Sequence, residues 1–315
     1  MQTPLDIGAD ISKDYVIVAC AKQSLPSSKL ANKRAALLPW LKSLPAGSRI
    51  GMEATGTYHE LLATLALRLG LVVYVLNAKD VHHYAKAIGQ RGKTDRVDAA
   101  LIARYVAQEH NHLHAWQPAS PAQRQLQQLV RRRAKLTSAR ATLRSSLQTV
   151  PSLRSDLRIL LKDFDALLSK LDAQARKLIE GCPGRAQAFR RLNAIPAVGN
   201  AVGIGLLAAL ERWPLPRADA FVAFVGLDPR ADDSGKKSGR RRLSKRGDPE
   251  LRRLLYVAAM SATRTRAWKP LYQRALAKGL SRIEALVTLA RRIARTAWSI
   301  YTHKTDFDPV RLQNH

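Results

Sequence analysis

The chain has 315 residues, 46% of them hydrophobic, and carries 53 Lys and Arg against 24 Asp and Glu, a formal net charge of +29. This length predicts two or three domains, and the apolar content excludes a disordered chain, which lacks the apolar area that offsets chain entropy. The positive charge predicts nucleic acid as a partner, because a basic surface attracts phosphates and releases their condensed counterions.

Membrane association is the alternative explanation of this charge, but no basic amphipathic helix with a Trp or Phe face supports it. The uncharged run at residues 194–210 contains a proline and three glycines and is too short for a span of about 20 apolar residues. The first residues lack the features of a secretory signal, and Cys20 and Cys182 alone imply no disulfide framework. We expect a bacterial, cytoplasmic protein that associates with the nucleoid when active.

The first 118 residues alternate strand and helix patterns, which predicts an α/β domain. Two strands rich in Ile and Val, "PLDIGADI" and "DYVIVACA", come first and are separated by the turn "SK". The elements predicted after them are a helix over 31–43, a strand "SRIGMEA", a helix "TYHELLATLALRLG", a strand "LVVYVLN", a helix over 78–88 and a helix capped by Thr94. We therefore expect antiparallel strands first and parallel crossover units after them.

Residues 119–191 combine a heptad pattern with a high positive charge. The residues that recur every seven positions are Leu129, Leu136, Leu143 and Val150. The region holds 16 Lys or Arg against 5 Asp or Glu. We expect two long helices joined near "TVPS" and packed as an antiparallel coiled-coil hairpin with a basic outer face, which serves as a spacer or a dimerisation element.

Residues 192–315 are predicted to form a mainly helical domain. The run "IPAVGNAVGIGLLAAL" resembles a helix-hairpin-helix in which the turn at Gly199 presents backbone N–H groups to a phosphate. A tightly packed pair of Gly- and Ala-rich helices explains the same run equally well. A basic loop with ten Lys or Arg spans residues 230–253, and final helices are expected over 249–262 and 281–301.

Four acidic residues stand at the expected ends of strands and helices. Asp95 and Asp98 lie three residues apart, on one face of a helix that follows a basic loop, and Asp10 and Glu53 lie at the ends of two strands. Carboxylates so close repel each other unless a divalent cation screens them, and oxygen ligands select Mg²⁺ or Mn²⁺. Taken singly, each acid also fits a structural role; together they predict a metal site for phosphodiester chemistry.

These stretches carry a family resemblance. "GADISKD", "GMEATGTYHE" and "KTDRVDAALIARY" resemble the amino-terminal half of the DEDD transposases of the insertion-sequence one-ten family. "IPAVGNAVGIGLLAAL", "AFVAFVGLDPRADDSGKKSG" and "RRLSKRGDPELRRLLYVAA" resemble the carboxyl-terminal transposase domain of that family. The resemblance implies a RuvC-like, RNase H-type α/β domain over 1–118, a basic coiled-coil hairpin over 119–191 and a mainly α-helical transposase domain over 192–315.

The resemblance also implies specific site residues and partners. It places the four metal-binding acids at Asp10, Glu53, Asp95 and Asp98, with Mg²⁺ as cofactor and Mn²⁺ as a substitute. It places a catalytic serine at Ser234, which attacks the scissile phosphate and forms a phosphoserine link. It further implies donor and target DNA, an element-encoded guide RNA that base-pairs with both, and homo-oligomers, dimers or tetramers, in which Ser234 of one subunit meets the acids of another.

Composition alone does not choose among Ser234, Ser238 and Ser244, because a serine hydroxyl is a poor nucleophile without a base or a metal. The "SG" position favours Ser234. Basic residues around the acids and the serine are expected to hold phosphates and to stabilise transition-state charge. These predicted nucleic-acid-binding residues are Lys93, Arg96, Lys236, Lys237, Arg240, Arg241, Arg242, Lys245 and Arg246, together with the backbone of Gly199.

Three hypotheses about function follow from these patterns. The first is a DNA transposase that cuts and rejoins strands of an insertion sequence. The second is a RuvC-like, structure-specific nuclease or junction resolvase that uses water as its nucleophile, and the third is a nucleic-acid scaffold without catalysis. The four carboxylates argue against the scaffold, and the "SG" loop argues against simple hydrolysis.

Overall fold

The structure is a computed structural model that describes residues 3–21, 27–53, 57–90, 92, 94–230 and 242–312. The chain divides into two compact units, Met1–Pro118 and Ala119–His315. The first unit combines a sheet with helices, and the second consists mainly of helices.

Strands and helices alternate along the first unit, as the sequence predicts. Its strands are β1 (Asp6–Ile11), β2 (Tyr15–Cys20), β3 (Ser28–Ala31), β4 (Arg49–Glu53) and β5 (Val72–Leu76). Its helices are α1 (Arg34–Lys42), α2 (His59–Arg68), α3 (Ala78–Ala87) and α4 (Asp95–Glu109). The helix predicted over 31–43 is present as α1 but begins at Arg34, because residue 31 ends the strand β3. The sequence does not predict the short strand β3, because its side chains are exposed or only partly buried and its hydrophobic pattern is therefore weak.

The strands form a mixed sheet with the order β3-β2-β1-β4-β5. β2 pairs antiparallel with β1 and with β3, whereas the β1–β4 and β4–β5 pairs are parallel. This confirms the prediction of antiparallel strands followed by parallel crossovers. In the parallel β1–β4 pair, Ala9 lies opposite Met52. The next residues of these strands, Asp10 and Glu53, therefore fall side by side near the carboxyl ends of the two strands.

Two glycines of the sheet bring helix α4 unusually close. A Cβ added at Gly8 would lie 2.0 Å from the carbonyl oxygen of Ala99 and 2.3 Å from the amide nitrogen of Ala103. A Cβ added at Gly51 would lie 2.3 Å from a methyl group of Val106. The backbone of α4 thus rests directly on β1, and no side chain larger than hydrogen fits between them.

The second unit begins with two long helices. Its helices are α5 (Pro121–Leu147), α6 (Arg154–Glu180), α7 (Pro183–Asn193), α8 (Asn200–Arg212), α9 (Ala218–Val225), α10 (Pro249–Ala262), α11 (Lys269–Ala277) and α12 (Arg282–His303). Strands β6 (Pro229–Arg230) and β7 (Arg242–Leu243) form a small antiparallel pair. The sequence patterns do not predict α7, α9 and α11, which have 11, 8 and 9 residues and therefore few turns in which a periodic pattern can show.

Helices α5 and α6 pack as an antiparallel hairpin, as predicted. Arg133 of α5 pairs with Asp172 of α6 at 2.6 Å, and Arg140 pairs with Asp165 at 2.8 Å. A step of seven residues forward in α5 therefore matches a step of seven residues back in α6. This is the pairing expected of two helices in heptad register.

The hairpin is anchored at its base. Leu126 and Leu129 of α5 and Ala175 and Ile179 of α6 belong to the main apolar core of the second unit, which α8, α10 and α12 complete. The residues of the hairpin beyond this base, near the connection between α5 and α6, are mostly exposed or partly buried. The core therefore fixes one end of the hairpin, and the ion pairs connect the two helices beyond it.

The uncharged run at residues 194–210 forms a turn and most of helix α8. The helix is only 13 residues long and is buried along most of its length. Gly203 lies against Phe189 of α7, and Gly205 lies against Leu254 of α10. The small residues thus serve close helix packing. Within the described parts of the chain, no helix combines the length and the apolar character needed to cross a membrane.

Candidate active site

The four predicted acids come from three elements of the first unit. Asp10 lies one residue before the end of β1, Glu53 ends β4, and Asp95 and Asp98 lie in the first turn of α4. Asp10, Glu53 and Asp98 are partly buried, and Asp95 is exposed. Because Gly8 and Gly51 of the sheet let α4 lie directly on β1 and β4, the first turn of α4 reaches the carboxyl ends of these strands.

Helix α4 begins as the sequence predicts. The side chain of Thr94 accepts a hydrogen bond from the backbone N–H of Val97, which caps the helix. This cap fixes Asp95 and Asp98 at the helix N-terminus, where the helix dipole favours negative charge. The local structure therefore compensates part of the repulsion between the two carboxylates.

The electrostatics of Asp10 reflect the charges of the other three acids. The pKa of Asp10 is raised from 3.8 to about 6, mainly by burial and then by the negative charges of Asp95, Asp98 and Glu53. Three carboxylates from two other elements must lie near Asp10 to act on it in this way. The sequence separates these acids by as many as 88 residues, from Asp10 to Asp98, and the fold brings them together.

The donor chemistry of this cluster fits a hard divalent cation. Carboxylate oxygens are the ligands that Mg²⁺ and Mn²⁺ prefer, and a bound cation would relieve the repulsion that raises the pKa of Asp10. Among the described residues, however, no group of three Asp, Glu, His or Cys side chains is close enough to hold a metal ion. The carboxylates thus interact across the site without forming a ligand cage.

Tyr15 is a residue of this site that the sequence analysis missed. Its hydroxyl donates a hydrogen bond to Oδ2 of Asp95 at 3.2 Å, and this bond raises the pKa of Tyr15. Lys29 of β3 places its ammonium group 3.9 Å from the centroid of the Tyr15 ring. The available signal was the position of Tyr15 at the start of β2, just after the turn that follows Asp10. Tyr15 and Lys29 extend the site from the helix to the antiparallel strands.

The predicted serine lies outside the described residues. Ser234 belongs to the segment 231–241 between β6 and β7, and the predicted basic residues Lys236, Lys237, Arg240 and Arg241 lie in the same segment. Lys93, next to the acids, is also outside the described residues. The structure therefore describes the stem of this loop, β6 and β7, but not the loop itself.

The loop stem is braced by specific contacts. The Ser244 hydroxyl donates a hydrogen bond to the carboxylate of Asp228, and the Ser244 amide donates to the Asp228 carbonyl at 2.9 Å. The Arg252 guanidinium of α10 donates to the carbonyls of Val225 at 2.8 Å and Gly247 at 3.3 Å. Ser244, one of the three candidate serines, is thus part of the bracing that closes the loop.

The remaining predicted nucleic-acid contacts are on the surface. The side chains of Arg96, Arg242, Lys245 and Arg246 are exposed, which suits contacts with phosphates. Lys245 adopts a left-handed backbone conformation, with a φ of 50°, directly after the stem. These cations flank two separate places in the chain, the start of α4 and the β6–β7 stem.

The turn before α8 differs from the predicted glycine turn. Its left-handed residue is Ala197, with a φ of 73°, whereas Gly199 is extended and occupies the N-cap position of α8. Gly199 is exposed, and no side chain caps this helix. A phosphate contact at Gly199 stays a prediction, while the close packing of α7 against α8 is observed.

Family models match two parts of this chain. Residues 7–151 match a model described as a transposase, of the DEDD type of IS110 elements. Residues 189–273 match the model of the transposase IS116/IS110/IS902 family. The first match includes all four acids, and the second includes Ser234 and the stem of its loop.

Individual relatives agree with the family models. The pilin gene-inverting protein of Moraxella bovis is 29% identical over 265 residues, which cover 82% of this chain and 81% of that protein. The corresponding protein of Moraxella lacunata is 28% identical over the same length. The transposase for insertion sequence element IS1111A of Coxiella burnetii is 30% identical over 123 residues, or 38% of this chain and 34% of that protein. The chain belongs to the IS116/IS110/IS902 family of transposases, enzymes that recombine DNA.

Proposed function

We propose that this protein is a Mg²⁺-dependent recombinase that moves an insertion sequence by cutting and rejoining DNA strands. The observation that carries the proposal is the placement of Asp10 and Glu53 on adjacent parallel strands, beneath the helix whose first turn holds Asp95 and Asp98. The raised pKa of Asp10 agrees with this placement. Carboxylates that repel one another destabilise a fold, and a role in binding a catalytic cation accounts for their placement. The mixed sheet, with acids near the ends of its parallel strands, supports an RNase H-like assignment for the first unit.

When bound at these acids, Mg²⁺ would neutralise phosphate charge and stabilise the oxygens of an in-line displacement. The chain itself would do the rest. Tyr15 orients Asp95, and Lys93 and Arg96 attract the DNA backbone to the acids. The cations of the Ser234 loop hold the scissile phosphate against the serine.

The proposed covalent step uses Ser234. Its Oγ forms a bond to the phosphorus and loses its proton, while the bond from phosphorus to one ester oxygen breaks. The leaving oxygen takes up a proton in exchange and becomes a free hydroxyl end. The phosphoserine ester conserves the energy of the cleaved bond. A hydroxyl end of the second DNA strand then displaces the serine, which rejoins the strands and restores the side chain.

The proposal includes partners. It takes donor and target DNA as substrates, a structured noncoding RNA as guide, and dimers or tetramers as the active form, with the α5–α6 hairpin as a spacer or dimerisation element over residues 119–191. The net charge of +29 supports polyanionic partners. The Moraxella relatives are named for inverting a pilin gene, and inversion requires DNA strands to be cut and rejoined. That name supports strand exchange by this chain.

The test is a denaturing gel of the purified protein incubated with Mg²⁺, the RNA transcribed from the flank of its element, and end-labelled DNA that spans the element junction. We expect a covalent protein–DNA band that is lost in Ser234→Ala and in Asp98→Asn. Ser238→Ala, a change in the same loop, is the matched control and should keep the band. Free cleaved DNA that survives Ser234→Ala but not Asp98→Asn would instead identify a nuclease that uses water.

A further inference from the structure

A cavity of about 420 Å³ opens in the second unit among α7, the end of α8 and the end of α12. Its wall includes three aromatic side chains, Trp213, Trp298 and Tyr301, and two cations, Arg191 and Lys304. Among the described residues that line it, none is Asp or Glu. Sites for small ligands have volumes of about 300 to 1,000 Å³, so this cavity has room for a ligand of that class.

Trp213 leaves apolar surface uncovered at this cavity. The residue is 41% exposed, although tryptophan is mostly buried in folded proteins. Its ring is nevertheless held in place: the ring of Phe224 lies 5.9 Å away between centroids, and the Arg212 guanidinium lies 4.5 Å from the Trp213 centroid. A fixed, exposed aromatic ring beside a cation is a ready surface for a flat, anionic ligand.

The other aromatic side chains of the wall are also oriented. The indole N–H of Trp298 donates a hydrogen bond to the Leu215 carbonyl at 3.0 Å, which fixes the ring. Burial raises the pKa of Tyr301 above its ordinary value, so its hydroxyl carries no charge at neutral pH. The wall is therefore formed before a ligand arrives.

The cations of the wall are available to an anion. Arg191 lies 3.3 Å from Asp306, but this aspartate is largely exposed, and ion pairs to exposed carboxylates are weak. Lys304 is exposed and ends α12 in a left-handed conformation, with a φ of 55°. A phosphate can replace Asp306 on Arg191 at little cost.

We propose that this cavity binds one unpaired nucleotide of a DNA or RNA strand, with its base against Trp213 and Trp298 and its phosphate on Arg191 and Lys304. Bases of every kind stack on aromatic rings, and Lys and Arg neutralise the backbone. The lack of carboxylates in the lining disfavours a cationic ligand. This inference rests on the proposed function in taking nucleic acid as the substrate, and it adds a binding site built from residues other than the four acids and the serine.

A second cavity next to the first one could hold the next nucleotide of the bound DNA or RNA strand. It measures about 460 Å³ and shares Trp298 and Ile300 with the first cavity. Its charged lining residues are three arginines and two aspartates, namely Arg292, Arg295, Arg311, Asp306 and Asp308. Arg295 and Arg311 form ion pairs with the exposed aspartates Asp219 and Asp308, and the next phosphate of a bound strand can compete for these arginines as it can for Arg191.

The test uses the full chain and short single strands of DNA or RNA that carry the fluorescent base 2-aminopurine, with the matching duplexes as a comparison. Binding to the unmodified protein should quench the 2-aminopurine fluorescence by stacking. In Trp213→Leu the quenching should decrease, and the dissociation constant for single strands should rise about 5- to 150-fold, the range for loss of one base–aromatic stack. Affinity for duplex DNA should stay the same.

A pair of arginine variants provides the matched control. Arg190 and Arg191 are neighbours in α7, but Arg191 lines the cavity and the exposed Arg190 does not. Each change to Gln removes one positive charge. Only Arg191→Gln should weaken single-strand binding markedly and lower its salt dependence by the slope of about one phosphate contact.

The outcomes separate this inference from the proposed function. Quenching with the DNA strand, the RNA strand or both supports the site and identifies its source of nucleotides. Equal quenching in the unmodified protein and in Trp213→Leu, or equal effects of Arg190→Gln and Arg191→Gln, would overturn the nucleotide site alone. Failure of the unmodified protein to bind any of these nucleic acids would overturn the proposed function as well.

Discussion

The hydroxyl of Tyr15 donates a hydrogen bond to Oδ2 of Asp95, 80 residues farther along the chain, with 3.2 Å between the two oxygens. The bond joins the start of β2 to the first turn of α4. The position of Asp95 therefore depends on β2, a strand that carries none of the four acids.

The change Tyr15→Phe tests this positioning role. It removes the hydroxyl and keeps the ring and all four acids. Loss of a hydrogen bond to a charged group should slow strand cleavage about tenfold at saturating DNA, and more Mg²⁺ should be needed for half-maximal rate. A magnesium titration of the cleavage rate measures both effects. Tyr58→Phe, at an exposed tyrosine of the same unit, is the control; an equal effect there would contradict the positioning role.

Asp10→Asn should stabilise the protein in metal-free buffer, and the gain should depend on pH. The raised pKa means that the folded state holds this proton more tightly than the unfolded chain. The contribution of Asp10 to stability is therefore fully present below pH 3.8 and is lost as the pH rises through about 6. At pH 7.5 the Asn variant should gain on the order of 1 to 2 kcal/mol, once solvent screening is allowed for.

Urea unfolding of both proteins at several pH values between about 4 and 7.5 measures this difference. The gain should shrink toward zero at the acidic end. Added Mg²⁺ should stabilise the unmodified protein more than Asp10→Asn, because binding to the folded state adds to its stability. A gain of the same size at every pH would show that repulsion among the acids is not its cause.

Gly8→Ala should damage the first unit severely. The added Cβ would lie 2.0 and 2.3 Å from backbone atoms of α4, which have no freedom to rotate away as a side chain would. We expect a loss of about 3 kcal/mol or more, measured by calorimetric unfolding. Gly184→Ala is the control, since an added Cβ there meets no atom within 4 Å. Equal stability of the two variants would contradict the close contact of α4 with β1.

Arg252→Gln should impair chemistry at the serine more than at the acids. It removes the two hydrogen bonds to the carbonyls of Val225 and Gly247 that hold the stem of the Ser234 loop. We expect slower formation of the covalent protein–DNA adduct and a loss of stability of about 1 to 3 kcal/mol. Arg253→Gln, which breaks only an ion pair with Glu250 on the same helix, should have little effect on the adduct. Equal adduct rates in the two variants would argue against a role for the stem.

Sequence patterns predicted those features whose causes are local. The sequence predicts Thr94 as the N-cap of α4, and it predicts α10 at its observed bounds, where Asp248 caps the helix and Pro249 occupies the first turn. The heptad pattern of α5 and the regular leucine spacing of α6 likewise predict the hairpin. In each case a few consecutive residues contain the whole signal.

Features that depend on the tertiary fold were not predicted. The bond between Tyr15 and Asp95 joins residues far apart in sequence, and nothing near either residue marks it. The sequence predicts a strand at Gly8, but it does not show that only glycine fits there. That requirement comes from the close approach of α4 to β1. The left-handed residue of the turn before α8 is Ala197 although a glycine stands two positions later, and the distant Trp268 contacts this turn through a hydrogen bond from its indole N–H to the Pro196 carbonyl at 2.9 Å.

Because α5 and α6 pair in heptads, the length of the hairpin can change without a change in the residues that anchor its base. Arg133 pairs with Asp172 and Arg140 pairs with Asp165, so each heptad of α5 lies opposite one heptad of α6. Removing or adding seven residues in both helices near the tip would change the reach of this arm by about 10 Å and leave the anchoring residues at its base in register. Evolution or protein engineering can therefore resize the arm in heptad steps without repacking the core that holds it.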